Sequence, residues 1–324
     1  MVKSGPTFPE RVASVDIGTN TILLLIAGVK EGILEPLLEK ETVVRLGQGL
    51  KENGLISKEA MQRGLQTLNE YLAHCRAMDV RKVFAVGTSA LREAKNTEVF
   101  LKQVRETLHL SVEVISGEEE ARLSYLAVER DLRESKTPIL VIDVGGGSTE
   151  FILGQAGRVT QWMSLPLGLV HLTEQFLISD PVQDEEWEKM TQTIRKTLSQ
   201  VPHPGQPFLM VSVGGTGTTL ASVEQGLAEF TPEKIHHFIL SEEALKNQLL
   251  LYRSKPLYER IKIPGLPPAR ADVILAGGSI LHLAMEKLQT PSILISCHGV
   301  RYGLIYKKLQ IANCKLQIEK SKST

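Results

Sequence analysis

The chain predicts two α/β domains, each with a mixed sheet carrying helices on its faces, and it predicts that one arose by copying the other. Three observations carry this. A loop occurs twice: Asp16-Ile17-Gly18-Thr19-Asn20 after the apolar run Val12-Ala13-Ser14-Val15, and Asp143-Val144-Gly145-Gly146-Gly147-Ser148-Thr149 after Ile139-Leu140-Val141-Ile142. A second apolar run follows each, Ile22-Leu23-Leu24-Leu25-Ile26 and Phe151-Ile152-Leu153, which reads as a glycine hairpin. After each hairpin come alternating helical and extended patterns, and 324 residues suit two cores better than one.

The elements follow in order. Residues 1–10 read as a loose leader without the apolar region of a signal peptide. Arg11 to about Leu46 is β-rich, with a turn at Lys30-Glu31-Gly32. Ser57 caps a helix in which Met61, Leu65, Leu68 and Leu72 recur at helical spacing. Val83 to Val86 is a short strand, Asn96 or Thr97 opens a helix through Leu108, and Val112 to Ile115 is extended. Residues 117–134 are helical, and Ser135-Lys136-Thr137-Pro138 breaks the chain. The second half has strands at 139–142, 150–154 and 158–165, helices at 168–178 and 184–200, and a loop over Pro202 to Pro207. A strand over Phe208 to Val213 runs into the loop Gly214-Gly215-Thr216 and a helix. A helix over Ala269 to Leu288, a strand over Ile293 to Ile295 and a helix from Gly299 to about Ile311 complete the chain. The domains are expected at 11–135, joined by a C-terminal helix at about 300–318, and at 136–299.

Charge excludes some partners. The formal net charge is zero and the pI near 7, so there is no overall basic field for nucleic acid or an anionic membrane. From Arg301 onward six basic residues (Arg301, Lys307, Lys308, Lys315, Lys320, Lys322) face one acid, Glu319, and read as a solvated helix and tail. Cys75, Cys297 and Cys314 show no metal-ligand spacing and read as reduced thiols. The longest apolar stretch, Ile22 to Val29, is too short to span a bilayer, so a cytoplasmic protein is expected.

The doubled loop points to phosphate. Bare backbone N–H groups in a glycine turn can face an anion, and a carboxylate stands beside each turn. Asp16 and Asp143 at strand ends could hold Mg²⁺, or simply cap their turns. Glu118, Glu119 and Glu120 open a helix, where the dipole favours acids, and spacing alone selects none of them. His236, His237, His282 and His298 show no ligand pattern and read as packing or surface residues. Ser89, Ser148 and Thr216 lack a His/Asp partner for a nucleophilic triad.

Beyond these readings, Asp16 to Asn20, Thr88 to Asn96, Ser116 to Arg122, Asp143 to Glu150, Ser164 to Gly168, Gly214 to Thr216, Pro264 to Leu266, Arg270 to Gly277 and Ser296 to Gly303 resemble the exopolyphosphatase/guanosine pentaphosphatase (Ppx/GppA) family, in order along the chain. The resemblance implies duplicated actin-like, ribonuclease H-like domains of the actin, heat-shock ATPase and sugar-kinase superfamily, with an interdomain cleft and the final helix packed on the first domain. It implies that Glu120 is the general base, that Asp143 and Glu150 hold Mg²⁺, with Mn²⁺ as the alternative and Asp16 contributing, and that Gly18, Thr19, Asn20, Gly145, Gly146, Gly147 and Ser148 cradle the terminal phosphate. Arg92, Gly215, Thr216 and Arg270 are implied as further phosphate-binding residues, with Thr88 and Asn96 beside them.

The expected activity is release of terminal orthophosphate from inorganic polyphosphate. The alternatives are hydrolysis of pppGpp, a sensor that binds without turnover, and a kinase of the same superfamily. Partners are then polyphosphate or pppGpp and no nucleic acid or membrane, with a homodimer admitted. Four positions depart from the family pattern: Leu23 and His171 where arginine is common, His237 where glycine is common, and Tyr302 where glutamate is usual. Leu23 weakens the inference of (p)ppGpp binding, and His237 is expected to narrow a base-binding pocket.

Overall fold

The computed structural model describes residues 10–30, 33–132 and 137–309, and the chain forms two compact units. The leader 1–9, Ser135 and Lys136 of the expected break, and residues 310–318 of the expected last helix lie outside the described residues. The division falls between Leu123 and Ser124, within a helix, and again at Gly299/Val300.

The first unit carries strands β1 (Glu10–Ile17), β2 (Thr21–Lys30), β3 (Ile33–Val43), β4 (Lys82–Gly87) and β5 (Val112–Val114) in the order β3-β2-β1-β4-β5. The β1–β2 and β2–β3 pairs are antiparallel, while β4 and β5 join in parallel. Helices α1 (Leu50–Asn53), α2 (Lys58–Ala77), α3 (Ser89–Glu93) and α4 (Thr97–Leu108) follow, then α5 (Gly117–Asp131), which crosses the division. Ser57 caps α2 as expected, its side chain accepting from the Ala60 N–H. Met61 and Leu68 reach the core with Phe100 and Val104 of α4, so the helical spacing was reporting burial. Residues 300–309 form a helix whose Val300 and Leu304 pack on Val86, Ile115 and Leu123.

The second unit has β6 (Ile139–Val144), β7 (Thr149–Gln155), β8 (Arg158–Leu165), β9 (Leu209–Val213), β10 (Ile239–Ser241) and β11 (Ser292–Ile295) in the order β10-β11-β9-β6-β7-β8. The pairs β6–β7, β7–β8 and β10–β11 are antiparallel, and β6–β9–β11 are parallel. Helices α6 (Leu169–Phe176), α7 (Asp184–Leu198), α8 (Gly214–Glu224), α9 (Pro232–Ile235), α10 (Glu242–Arg253), α11 (Leu257–Arg260) and α12 (Ile274–Leu288) surround it. The core is continuous from Leu140 and Ile142 to Leu275, Ile280 and Leu281 of α12.

Two expectations are corrected. Gly214-Gly215-Thr216 is the first turn of α8 rather than a loop before it. The helix expected from Ala269 is a 3₁₀ turn, Pro268–Arg270, followed by α12 from Ile274, because Pro267 and Pro268 suit only a short helical start.

Candidate phosphate and metal site

Each unit carries the same hairpin. In the first, Ile17 pairs Ile22 and the Gly18 N–H donates to Thr21 O at 2.9 Å. In the second, Val144 pairs Thr149 and the Gly145 N–H donates to Ser148 O at 2.9 Å. The duplication read from the sequence is therefore a duplication of geometry, with Asp16 opposite Leu23 and Asp143 opposite Glu150.

Both turns are braced from behind. The Leu169 and Val170 N–H groups donate to Gly145 O (3.0 Å) and Gly146 O (3.1 Å). In a trans peptide the N–H points opposite to the preceding carbonyl, so the Gly146 and Gly147 N–H groups point away from α6. A Cβ at Gly168 would overlap the Gly146 and Gly147 backbone, which is why the brace needs glycine. In the first unit the Gly47 N–H donates to Thr19 O, and the Val44 and Arg45 N–H groups donate to Asn20 O, all at 2.9 Å. The Asn20 and Thr21 N–H groups are thereby turned the other way.

The first unit gathers Asp16, Arg92, Glu120 and Arg301. Arg92 at the end of α3 donates to Glu120 Oε2 (2.6 Å) and Ile115 O (3.1 Å). Burial raises the Glu120 carboxyl to about 7, against the pull of Arg92 and helped by Asp16. Burial likewise raises Asp16 to about 6, although Arg301 and Arg92 oppose it. Asp16 Oδ1 and Asn20 Nδ2 are buried with no hydrogen-bond partner. A buried carboxylate oxygen and a buried amide donor without partners fit a cation and an anion respectively.

In the second unit Glu150 is buried, and its Oε1 accepts from Ser148 Oγ and Ser164 Oγ, both at 2.7 Å. Two hydroxyl donors fix the carboxylate in place. Asp143 lies beside the start of α8, where a Cβ at Gly214 would stand 2.7 Å from Oδ1. Arg270 is buried with its guanidinium against Gly215. Thr216 is also buried, and its hydroxyl donates to Val144 O at 3.2 Å, which ties α8 to the end of β6.

Sequence reasoning missed Arg301. It is buried rather than solvated, donates to Glu39 and lies close enough to Asp16 to influence it. Tyr302 OH donates to the same Glu39 at 2.8 Å, and Ser14 Oγ donates to Arg301 O at 2.7 Å. Lys307 pairs Glu119 at 2.6 Å, so this end of the basic run is docked too. The available signal was Gly303, whose missing side chain lets the helix approach the Leu123 carbonyl. Sequence reasoning also missed that Asp131, His236 and His298 converge.

The chain resembles known proteins over most of its length. The profile of the Ppx/GppA phosphatase family matches residues 25–312. The chain belongs to the Ppx/GppA phosphatase family. The guanosine-5'-triphosphate,3'-diphosphate pyrophosphatase of Vibrio parahaemolyticus is 33% identical over 299 residues, covering 91% of this chain and 58% of that protein. The Aquifex aeolicus Ppx/GppA family member is 36% identical, with a TM-score of 0.80 over 94% of this chain and 99% of that one. An exopolyphosphatase from Cytophaga hutchinsonii is 27% identical, with a TM-score of 0.86 over 93% and 98%. The chain spans about half the length of the curated relatives it matches. The two mixed sheets are those of duplicated actin-like domains.

Proposed function

We propose that this Ppx/GppA protein is an exopolyphosphatase, releasing terminal orthophosphate from inorganic polyphosphate by attack of water. The observation that carries this reading is Glu120: a buried carboxyl raised to about 7 and oriented by Arg92, which is where a general base working near neutral pH belongs. In this reading Glu120 takes the proton of the attacking water. Water oxygen bonds to the terminal phosphorus, and the phosphoanhydride P–O bond breaks toward the shortened chain. The Gly146 and Gly147 N–H groups and the Asn20 amide hold the phosphoryl oxygens as charge shifts among them. Arg92, released in part from Glu120, neutralises the incoming anion. Asp143 and Glu150 offer all-oxygen donors suited to a hard cation, as does Asp16 in the first unit, and Mg²⁺ held by such oxygens would neutralise phosphate charge.

A pppGpp substrate is the second reading, favoured by the Vibrio parahaemolyticus relative that carries that activity in its name. Leu23, half-buried opposite Asp16, offers no charge to a nucleotide, which favours polyphosphate. A phosphate-release panel over polyphosphates of several lengths, pppGpp and ATP, with Mg²⁺, Mn²⁺ or chelator, tests this. Faster release from polyphosphate supports the proposal. Preference for pppGpp moves it to the second reading, and binding without release in every arm makes the protein a sensor.

A further inference from the structure

The three histidines that look unrelated in the sequence meet at one carboxylate. Asp131 is the last residue of α5, His236 and His237 directly follow α9, and His298 lies just past β11. His236 Nε2 is 3.3 Å from the Asp131 carboxylate, His237 Nε2 is 2.6 Å from Oδ2, and His298 Nδ1 is 3.8 Å from Oδ1. The His236 ring stacks on His237 at 4.0 Å between centroids and meets the His298 ring, tilted, at 4.2 Å. One ligand atom each from Asp131, His236 and His298 lies within 4.8 Å of the other two.

We propose that Asp131, His236 and His298 form a binding site for a divalent first-row metal ion, Zn²⁺ foremost. Imidazole with carboxylate is a donor set for Zn²⁺ and its neighbours, unlike the all-oxygen set of the phosphate site. Bonds of about 2.1 Å place tetrahedral ligand atoms about 3.4 Å apart, close to the 3.3 and 3.8 Å that separate the two imidazoles from the carboxylate. One carboxylate and two neutral imidazoles leave a single negative charge to meet the ion.

The surroundings hold the ligands in place. The His237 N–H donates to Ile295 O and the Ile295 N–H to Phe238 O, both at 2.8 Å, so the two histidine-bearing segments are stitched together. His237 adopts φ +65°, a left-handed backbone unusual outside glycine, and its ring fixes Asp131 Oδ2, leaving Oδ1 for the ion. The Cys297 N–H donates to His236 Nδ1 at 3.2 Å and so keeps a proton on Nε2. That bond must yield when metal binds, which weakens the site relative to a closed structural zinc centre. The end of β11 and the end of β6 lie on the same edge of the sheet, with β9 between them. The ion would therefore sit at the edge that carries the phosphate loop, but none of its ligands is among the groups assigned to phosphate, so the site stands or falls independently of the hydrolytic reading.

The test is Zn²⁺ titration of the chelator-stripped full chain against a competing chromophoric chelator, with Co²⁺ as a spectroscopic stand-in. The unaltered protein should bind one equivalent more than His236→Ala or His298→Ala and should give intense visible Co²⁺ bands that those variants lose. His237→Ala should keep the stoichiometry with roughly 10–100-fold weaker binding, as expected of a positioning residue. His282→Ala should bind like the parent. Equal stoichiometry in parent and cluster variants, or no tetrahedral Co²⁺ bands in the parent, overturns the proposal. Should the alanine variants unfold, the imidazole resonances of the unaltered protein decide: selective shifts of His236 and His298 with Zn²⁺ support the site, and no shift refutes it.

Discussion

The two acid–glycine hairpins began as copies and now differ at one decisive position. Opposite the loop aspartate the first unit has Leu23 and the second has Glu150. The first hairpin places its aspartate among charged side chains: Arg92 and Arg301, with Glu120 raised to about 7. The second surrounds its aspartate with fixed oxygen: Glu150 clamped by Ser148 and Ser164. In the proposed reading a shared backbone turn serves proton transfer in one copy and holds charge in the other. The lesson is that two turns with the same main chain differ in chemistry through the side chains packed beside them.

The sharpest way to break this contrast is Glu120→Gln, which keeps the shape and removes the base. Turnover should fall about 10²–10⁴-fold while substrate binding, read by calorimetry, stays near that of the parent. Turnover near the parent value would remove proton transfer from the first unit. The same residue predicts pH behaviour of opposite sign for activity and stability. The base must be ionised, so kcat/KM should rise with pH through about 7. A carboxyl whose folded pKa is raised contributes stability that is full below its ordinary 4.5 and lost as pH rises through about 7. Melting temperature should therefore drop between about pH 5 and about pH 8 more in the parent than in Glu120→Gln.

Glu150→Leu gives the second hairpin the residue of the first. It leaves two serine hydroxyls without their acceptor, and urea unfolding should show a loss of about 1–3 kcal/mol beside the loss of metal-stimulated activity. Unchanged stability would mean that the serine clamp is worth nothing. The braces allow a finer comparison. Gly168→Ala pushes a methyl into the Gly146 and Gly147 backbone, and should cost about 1–3 kcal/mol and raise KM. Gly47→Ala meets the Thr19 methyl, an obstacle that can move, and should cost less by the same assay. Equal costs would mean that both turns are equally rigid.

Much of this was legible in the chain. The β1–β2 and β6–β7 hairpins were visible because apolar runs flank a glycine turn, and α2 was visible because Met61 and Leu68 keep helical spacing. The segment from 225 to 268 was not read in the same way. There the short α9, α11 and β10 are too brief to show a period, while α10 has a local start signal in its Ser241 cap and packs Leu245, Leu249 and Tyr252 into the core. The family, and with it the candidate acids, was readable from short motifs because backbone turns and the residues beside them are local.

The sequence by itself determined the doubled hairpin, the two α/β cores and membership in the Ppx/GppA family. Only the tertiary structure decided that Arg301 is buried beside Asp16, that Arg92 holds Glu120, that two serines clamp Glu150, and that Asp131 meets three histidines. The physical reason is separation along the chain. A turn is fixed by its own few residues, whereas a carboxyl's pKa and partners depend on groups up to hundreds of residues away that packing alone brings within reach.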